Sequence, residues 1–447
     1  MSESTIYALS TVYGKSGVAV VRISGASALE TVRRMTALPL EKLGSRQAHF
    51  VKLTSARTGS LLDHSLLLYF PAPHSFTGED IVELHIHGSR AVIASVLDSL
   101  SVLPDYRLAE PGEFSKRAFY NRKMDLTEAE GLADLIDAET AEQQKYALRQ
   151  MEGSLKNLYD GWRSQLVTLL AHLEAYIDFP DEELPPDLIS GMMNDVFKLR
   201  SAIEKHLQDN NSGERLRDGF RVVIVGAPNA GKSSLLNAVA RRDAVIVSDI
   251  AGTTRDAIDI HLDLGGYPVI FTDTAGLREA EEAIEQQGIA MAWRKIEDAD
   301  LIISLFDASQ DSVQVFDKLK KSYQNKMLLV ANKIDKLTSE QCSHLKKQDC
   351  LLISAKQAQG IGELLETITR RIASKFTAGS NLLITRARYR EALQKTADSL
   401  QRFSFEKPIE LTAEDIRLAA RELGKITGHI EVDEILDKIF GSFCIGK

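Results

Sequence analysis

A glycine-rich segment from Gly226 to Ser234 has the pattern of a phosphate-binding loop, in which a Lys-Ser pair follows two glycines. The apolar run 220–225 before it predicts a buried strand, and the run 235–240 after it predicts a helix. The motif requires this strand–loop–helix context, because backbone N–H groups and the helix N-terminus then face the phosphates. Lys232 would reach the outer phosphates, and the Ser233 hydroxyl would bind magnesium.

Three further motifs follow along the chain. The segment Asp273–Gly276 follows the apolar run 269–271, which predicts a strand, and offers a carboxylate as a second magnesium anchor and a glycine N–H that can sense the terminal phosphate. The segment Asn332–Asp335 follows a further predicted strand, 327–330, and Ser354–Lys356 fits a loop that closes over the base. The Asp335 carboxylate can accept two hydrogen bonds from guanine, whereas adenine has no matching donor pair. Two such bonds at roughly 1.5–3 kcal/mol each would favour guanine by about a hundredfold to ten-thousandfold. The predicted nucleotide is therefore GTP.

A polar segment from Ser248 to Asp256 lies between the phosphate loop and Asp273. A threonine in this segment would coordinate magnesium when the terminal phosphate is present, so the segment would be ordered as a switch. Thr254 is the first choice for this ligand and Thr253 is the second.

The residue that orients the attacking water is not the usual one. Ras-type enzymes carry a glutamine directly after the glycine of the Asp-x-x-Gly motif, and this chain has Leu277 there. Leucine neither donates nor accepts a hydrogen bond, so another group must orient the water. Glu281, Glu282 and Glu285 are nearby candidates, and Arg255 is a candidate for an arginine finger within the chain.

Composition excludes several classes of protein. The chain has 447 residues, enough for about three domains, and a net charge of −9, so any RNA contact must be local or shared with a partner. Cys342, Cys350 and Cys444 are too few and too badly spaced for a disulfide framework or a zinc site. The N-terminus lacks a signal pattern and no apolar run has membrane-spanning length, so we expect a cytoplasmic protein without a membrane contact.

The hydrophobic periodicity changes along the chain. Residues 1–119 alternate strand-like runs with helical stretches and predict an α+β domain. Residues 120–217 and 378–447 have apolar positions at helical spacing, and residues 218–377 alternate strands with helices. The predicted fold class is therefore multidomain α/β, in which a P-loop GTPase (Ras-like) domain is inserted into a discontinuous helical domain.

The chain resembles the bacterial MnmE (TrmE) family of tRNA modification GTPases over essentially its whole length. The C-terminal Cys-Ile-Gly-Lys and the N-terminal segments are more specific than the phosphate loop, which many proteins share. The segments that carry the resemblance, besides the phosphate loop, are Phe76–Asp80, Pro111–Phe119, Lys123–Glu130, Gly252–Asp256, Asp273–Arg278, Asn332–Asp335 and Phe443–Lys447.

The resemblance implies a potassium-dependent GTPase, in which a monovalent cation supplies the positive charge of an arginine finger. Asn229, Ser248, Ile250 and Thr253 match the family's potassium site; the family commonly has threonine where this chain has Ser248, which keeps the hydroxyl. Glu285 matches the glutamate that positions the catalytic water. The predicted GTP-binding residues are Asn229, Ala230, Gly231, Lys232, Ser233, Ser234, Ser248, Asp249, Ile250, Ala251, Gly252, Thr253, Thr254, Asp273, Thr274, Ala275, Gly276, Asn332, Lys333, Asp335, Ser354, Ala355 and Lys356.

For residues 1–119 the resemblance implies a folate-binding-like fold that binds formyl- or methylene-tetrahydrofolate and forms the homodimer. Arg22, Glu83, Lys123 and Lys447 match the family's folate contacts. A carboxylate such as Glu83 can pair with the N–H edge of a pterin, and cations can hold the acidic tail. Cys444 lies beside this site by analogy and is a candidate for a role in tRNA modification.

The resemblance also implies a flavin-dependent partner, MnmG (GidA), whose FAD carries out the redox step. Together the two proteins would add an aminomethyl or carboxymethylaminomethyl group to carbon five of the tRNA wobble uridine. Two alternatives stay open: a ribosome-assembly GTPase that acts as an RNA-binding factor, and a folate enzyme whose GTPase domain is only regulatory.

Overall fold

The computed structural model describes residues 4–178, 186–208, 211–242, 259–273, 294–310, 323–347, 350–376, 383–430 and 433–446. The chain divides into two compact units. The first comprises Met1–Ala133, Gln150–Thr168 and Ala420–Lys447, and the second comprises Asp134–Arg149 and Leu169–Ala419. The domain boundaries expected from the sequence stay predictions.

A six-stranded sheet lies in the first unit, with strand order β3-β4-β5-β2-β1-β6. All neighbouring strands are antiparallel except β1 and β6. The strands are β1 (Thr5–Leu9), β2 (Ser16–Ser24), β3 (His49–Thr54), β4 (Leu61–Phe70), β5 (Ile81–Gly88) and β6 (Tyr106–Leu108). The helices that accompany them are α1 (Leu29–Met35), α2 (Arg90–Ser101), α3 (Glu113–Tyr120) and α4 (Leu126–Ile136).

Side chains alternate between the two faces of this sheet, as the period of a strand requires. Val82, Leu84 and Ile86 of β5 are buried in the core, whereas Glu83 and His85 are only partly buried. The mixture of strands and helices predicted for residues 1–119 is confirmed, and one face of the sheet is left to carry polar side chains.

The long helices predicted after residue 120 are also present. They are α5 (Ala141–Met151), α6 (Ser154–Asp178), α7 (Pro186–Leu207) and α8 (Ser212–Asp218). Proline opens α7, where its missing N–H costs no helical hydrogen bond. Of the helices described, none combines the length and the apolar character needed to cross a membrane.

The second unit contains a six-stranded sheet with strand order β12-β11-β10-β7-β9-β8. Its neighbouring strands are parallel except β8 and β9. The strands are β7 (Phe220–Gly226), β8 (Asp259–Leu264), β9 (Tyr267–Asp273), β10 (Leu301–Asp307), β11 (Met327–Asn332) and β12 (Leu351–Leu352). The same unit contains the helices α9 (Lys232–Arg242), α10 (Ser339–Lys346), α11 (Ile361–Phe376) and α12 (Ala387–Arg402). Next along the chain, α13 (Ile409–Thr427) begins in the second unit, and α14 (Asp433–Gly441) belongs to the first.

Parallel strands that are buried on both faces have nearly continuous apolar sequences. For this reason the sequence predicted β7, β9 and β11, and the structure confirms them. The carboxyl ends of β7, β9, β10 and β11 meet at one edge of the sheet. Ligands of open α/β sheets bind at this edge, beside the strand where the order reverses.

Candidate functional site

The phosphate loop runs from the end of β7 into the first turn of α9. Asn229 and Gly231 have left-handed backbones, with φ of 63° and 99°, a conformation that glycine adopts freely and asparagine tolerates. A Cβ atom at Gly231 would lie 2.2 Å from Asn332 Nδ2, so a side chain has no room there. Lys232 Nζ donates a hydrogen bond to the carbonyl oxygen of Gly226 at 2.8 Å. The loop therefore has the tight curvature of a phosphate cradle, and its lysine is folded across it.

The two side chains predicted to anchor magnesium lie together. Ser233 lies in the first turn of α9 and Asp273 ends β9, which pairs with β7 so that Asp273 faces Ile224. Ser233 Oγ donates a hydrogen bond to Asp273 Oδ2 at 3.3 Å. A hydroxyl and a carboxylate are the oxygen ligands that magnesium prefers, so this pair fits that ion. Bound there beside a nucleotide, magnesium would neutralise phosphate charge.

Asn332 connects the phosphate loop with the loop predicted to close over the base. Its Nδ2 donates a hydrogen bond to the carbonyl oxygen of Ala230 at 2.7 Å, and its Oδ1 accepts one from the backbone nitrogen of Ala355 at 3.0 Å. The side chain is 2% exposed. One buried amide therefore fixes the separation between the two loops.

The predicted guanine-binding carboxylate is oriented by the same closing loop. Ser354 Oγ donates a hydrogen bond to Asp335 Oδ1 at 2.6 Å. This bond, together with the nearby charges of Lys336 and Lys356, holds the pKa of Asp335 below its ordinary value. The side chain is exposed, so a carboxylate that stays ionised is presented to a ligand at this edge of the sheet.

A further carboxylate at this edge was missed by the sequence analysis. Asp307 ends β10 and lies opposite Asn332 in the register of β10 with β11. Its Oδ2 accepts a hydrogen bond from Lys333 Nζ at 2.7 Å. The only signal in the sequence was an aspartate at the end of an apolar run, the same signal that identified Asp273.

Several predicted residues lie outside the described part of the chain. The proposed water-orienting residues and Arg255 are among them. So are the switch segment, the residues after Asp273 and the C-terminal lysine, namely Ser248, Asp249, Ile250, Ala251, Gly252, Thr253, Thr254, Thr274, Ala275, Gly276, Leu277, Glu281, Glu282, Glu285 and Lys447.

The N-terminal sheet brings two predicted folate contacts together. Arg22 of β2 and Glu83 of β5 are partners in register, and Arg22 Nε lies 2.9 Å from Glu83 Oε1. The guanidinium also lies over the rings of Phe76 and Phe114, 5.4 and 5.8 Å from their centroids. His85 Nε2 is 3.4 Å from the other oxygen of Glu83. The Glu83 carboxylate is thus held by a cation on a partly exposed face of the sheet, and such a carboxylate can accept hydrogen bonds from the N–H groups of a flat heterocycle.

The third predicted folate contact lies on a neighbouring loop. Lys123 Nζ donates a hydrogen bond to the carbonyl oxygen of Pro73 at 3.0 Å. A Cβ atom on Gly78 would lie 3.4 Å from the Lys123 side chain. Lys123 therefore contacts the 73–80 loop, to which Phe76 belongs.

The C-terminal segment packs against the N-terminal sheet and the start of α3. The carbonyl oxygen of Cys444 accepts a hydrogen bond from the Gly112 nitrogen at 3.4 Å, and that of Gly446 accepts one from Ser10 Oγ at 3.0 Å. The Cys444 residue is exposed. Because Phe114 lies two residues after Gly112, the segment containing the cysteine is held near the aromatic group around Arg22.

The fold and the nucleotide site define the class of this protein: it is a P-loop GTPase. A family model described as the MnmE helical domain matches residues 126–444, and one described as the N-terminus of the GTP-binding protein TrmE matches residues 5–123. The chain therefore belongs to the MnmE (TrmE) family of tRNA modification GTPases.

Curated relatives agree with this assignment. Proteins named tRNA modification GTPase MnmE from Paramagnetospirillum magneticum and Parvibaculum lavamentivorans are similar to the chain. The first is 48% identical over 453 residues and covers 100% of both chains. The second is 50% identical over 448 residues, which is 99% of this chain and 100% of the relative. The chain is also similar to a solved structure, the G domain of the T. maritima FeoB iron transporter, at 23% identity over 34% of this chain and 98% of that chain. Its TM-score of 0.27 is too low to support a conclusion.

Proposed function

We propose that this chain hydrolyses GTP with magnesium and uses the reaction in modifying the wobble uridine of tRNA. The observation that carries the nucleotide assignment is the double hydrogen bond of Asn332, which joins the phosphate loop at Ala230 to the base loop at Ala355. A phosphate cradle and an ionised base acceptor, Asp335, then stand at a fixed separation, as a purine nucleoside triphosphate needs.

The biological role is tested by mass spectrometry of wobble nucleosides. A strain that lacks the protein should lose the aminomethyl-type groups at carbon five, and the intact chain should restore them. Lys232→Ala should not restore them, because the outer phosphates lose their cation, whereas Lys346→Ala at the end of α10 should. Unchanged nucleosides together with accumulated ribosomal precursors would instead favour the ribosome-assembly alternative.

Magnesium would be held by Ser233 on the phosphate loop and by Thr254 of the switch segment, with Asp273 in support. The hydrogen bond between Ser233 and Asp273 supports this proposal, because it places a hydroxyl and a carboxylate in one spot. Held by these residues, the metal would supply positive charge against the terminal phosphate.

A potassium ion would take the place of an arginine finger, held by Asn229, Ser248, Ile250 and Thr253. Glu285 would position the attacking water, because Leu277 replaces the usual glutamine. The left-handed backbone of Asn229 supports the first proposal, since this residue lies on the turn of the phosphate loop.

Glu285 has a matched control three residues earlier. Glu285→Ala should lower the turnover number at least roughly a hundredfold and leave GTP affinity within about twofold, because it removes an interaction made with the water and not with the nucleotide. Glu282→Ala should change neither quantity. Equal losses in the two variants would assign the segment a structural role.

The N-terminal domain would bind formyl- or methylene-tetrahydrofolate through Arg22, Glu83, Lys123 and Lys447. When bound, the folate supplies a one-carbon unit. Glu83 can accept hydrogen bonds from the pterin N–H edge, and Arg22 holds Glu83 in position through the 2.9 Å ion pair. The cations would bind the acidic tail of the folate.

Calorimetry with 5-formyl-tetrahydrofolate tests this site. Glu83→Gln should weaken folate binding at least roughly tenfold. The neutral amide cannot replace the charged carboxylate, which would accept two hydrogen bonds from the pterin N–H groups. Arg33→Ala is the control, since Arg33 is an exposed residue of α1 and pairs with Glu30. If Glu83→Gln binds folate as the wild type does, the folate assignment is wrong while the GTPase assignment stands.

Homodimerisation through the N-terminal sheet is supported by an exposed apolar patch. Phe50 of β3 and Leu66 of β4 are partners in register and are 73% and 42% exposed. Leu66 is in turn the register partner of His85, so the patch shares its face with the Arg22–Glu83 pair. Phe50→Glu should shift the chain from dimer to monomer in analytical ultracentrifugation.

The remaining partners are the flavin protein MnmG (GidA), whose FAD would carry out the redox step, and the tRNA, all in the cytoplasm. Cys444 would act in or beside the carbon-transfer step, and its exposed position near α3 supports this. Cys444→Ser should leave GTP hydrolysis within about twofold and lower the yield of modified uridine.

A further inference from the structure

The three polar side chains of the segment Asn332–Asp335 each have a polar partner. Asn332 is held by Ala230 and Ala355, and Asp335 is held by Ser354. Lys333, the residue after Asn332, has a left-handed backbone with φ of 66°. The ammonium group of this residue lies 2.7 Å from Asp307 Oδ2.

Asp307 is built to hold that ammonium group. Its side chain is 8% exposed. One oxygen, Oδ1, accepts hydrogen bonds from the nitrogen and the hydroxyl of Ser309 at 3.0 and 2.6 Å. The other oxygen, Oδ2, is directed to Lys333. Burial opposes the charge, but the bonds from Lys333 and Ser309 hold the pKa of Asp307 below its ordinary value.

We infer that Asp307 is a positioning residue for guanine-nucleotide recognition, acting through Lys333. The inference rests on the GTPase function proposed above. With its ammonium group held by Asp307, Lys333 offers its methylene chain as an apolar wall beside the base acceptor Asp335. The lysine is long and flexible, and without Asp307 it would lose this single arrangement.

Asp300 provides a matched control at the opposite end of the same strand. It precedes β10, is similarly shielded with 14% of its side chain exposed, and pairs with Arg215 at 3.0 Å. Its carboxylate therefore has an arginine partner of its own but lies about 20 Å from the nucleotide edge, the length of a seven-residue strand.

The experiment measures dissociation of a fluorescent GDP from the full chain by stopped flow, and steady-state hydrolysis of GTP. Asp307→Asn should release GDP roughly tenfold faster and raise KM by a similar factor, with kcat within about twofold, because the contact concerns the base and not the transferred phosphate. Asp300→Asn should release GDP at the wild-type rate. Similar thermal stability of the two variants would show that the difference is local.

A double-mutant cycle assigns the effect to Lys333. Lys333→Met keeps the methylene chain but removes the ammonium group, so Asp307→Asn should add no further acceleration in that background. Wild-type dissociation from Asp307→Asn, equal acceleration from Asp300→Asn, or full additivity with Lys333→Met would each overturn the inference. If the wild-type chain itself bound no guanine nucleotide, the proposed function would fail, which is a separate outcome.

Discussion

The backbone nitrogen of Glu142 donates a hydrogen bond to the carbonyl oxygen of Gly266 over 3.2 Å. Glu142 lies in the first turn of α5, and Gly266 lies in the two-glycine turn that joins β8 to β9. Gly265 and Gly266 have φ of 63° and 92°, as a tight hairpin turn requires. Strand β9 begins directly after Gly266 and ends at Asp273. This strand therefore runs from the hydrogen bond with α5 to the proposed magnesium site.

Asp134 of α4 pairs with two arginines, one before β7 and one before α12. Asp134 Oδ1 lies 3.0 Å from Arg217 Nε, just before β7, and 2.7 Å from Arg386 Nη2, just before α12. The segments that precede β7 and α12 therefore share one carboxylate oxygen. Through Asp134 and Glu142, the helices α4 and α5 are therefore joined to the nucleotide-binding sheet and the segments beside it.

Asp134→Asn should lower the free energy of unfolding by about 1.5–3 kcal/mol, because hydrogen bonds between charged groups are replaced by weaker ones. Urea denaturation followed by circular dichroism measures the change. Asp137→Asn, at an exposed position three residues later, should alter the free energy by less than about 0.5 kcal/mol. Equal changes in the free energy of unfolding in the two variants would show that the ion pairs of Asp134 do not stabilise the fold.

Gly231→Ala should abolish nucleotide binding at ordinary concentrations. The new methyl group would lie 2.2 Å from Asn332 Nδ2 on a backbone with φ of 99°, so either the phosphate loop or the connecting amide must move. We expect the affinity for fluorescent GDP to fall at least roughly a hundredfold. Gly191→Ala in α7 should leave the affinity unchanged, because within the described part of the chain nothing but the helix's own backbone lies within 4 Å of the added atom. Retained affinity in Gly231→Ala would contradict the described loop geometry.

Replacing the Asn229 side chain should remove the preference for potassium. Asn229→Gly is the suitable variant, because glycine adopts a φ of 63° without strain. GTP hydrolysis by the wild type should be at least roughly tenfold faster in potassium than in sodium at equal ionic strength, a lower limit set against the thousandfold of an arginine finger. In Asn229→Gly the two salts should give the same slow rate. If the wild type hydrolysed GTP equally fast in both salts, the potassium site would be contradicted and Arg255 would be favoured as the arginine finger.

Asp125 should make stability depend on pH between about 4 and 6. Burial raises the pKa of this carboxyl from 3.8 to about 6. The native state then holds a proton that the unfolded chain has released, so stability is greatest below the unfolded pKa and is lost as the pH rises through the folded pKa. The difference corresponds to about 3 kcal/mol. Urea denaturation at pH 4.5 and pH 7 should show about 2 kcal/mol of this loss in the wild type, because pH 4.5 lies above the unfolded pKa, and little of it in Asp125→Asn. A wild type equally stable at both pH values would contradict the prediction.

The sequence revealed those parts of the site whose chemistry is local. The phosphate loop, Asp273 and the Asn332–Asp335 segment each follow a buried strand, and short spacing along the chain fixes their geometry. Asp307 escaped notice because its partner Lys333 lies 26 residues away, and only the pairing of β10 with β11 brings the two together.

The N-terminal site depends still more on tertiary structure. Arg22 and Glu83 are 61 residues apart and meet because β2 and β5 pair in one particular register. The spacing of residues along the chain does not reveal which strands pair. For this reason the site was suggested by the resemblance to a family and not by hydrophobic periodicity. The position of Cys444 beside Gly112 depends likewise on how the C-terminal segment packs.

The most direct test of the account measures which nucleotide the chain hydrolyses when Asp335 is changed. Asp335→Asn exchanges an acceptor for a donor, so the variant should hydrolyse xanthosine triphosphate and lose at least roughly a hundredfold in kcat/KM for GTP. The wild type should show the opposite preference and should not hydrolyse ATP. An Asp335→Asn variant that hydrolyses GTP as efficiently as the wild type would contradict the assignment of this edge of the sheet as a guanine-nucleotide site.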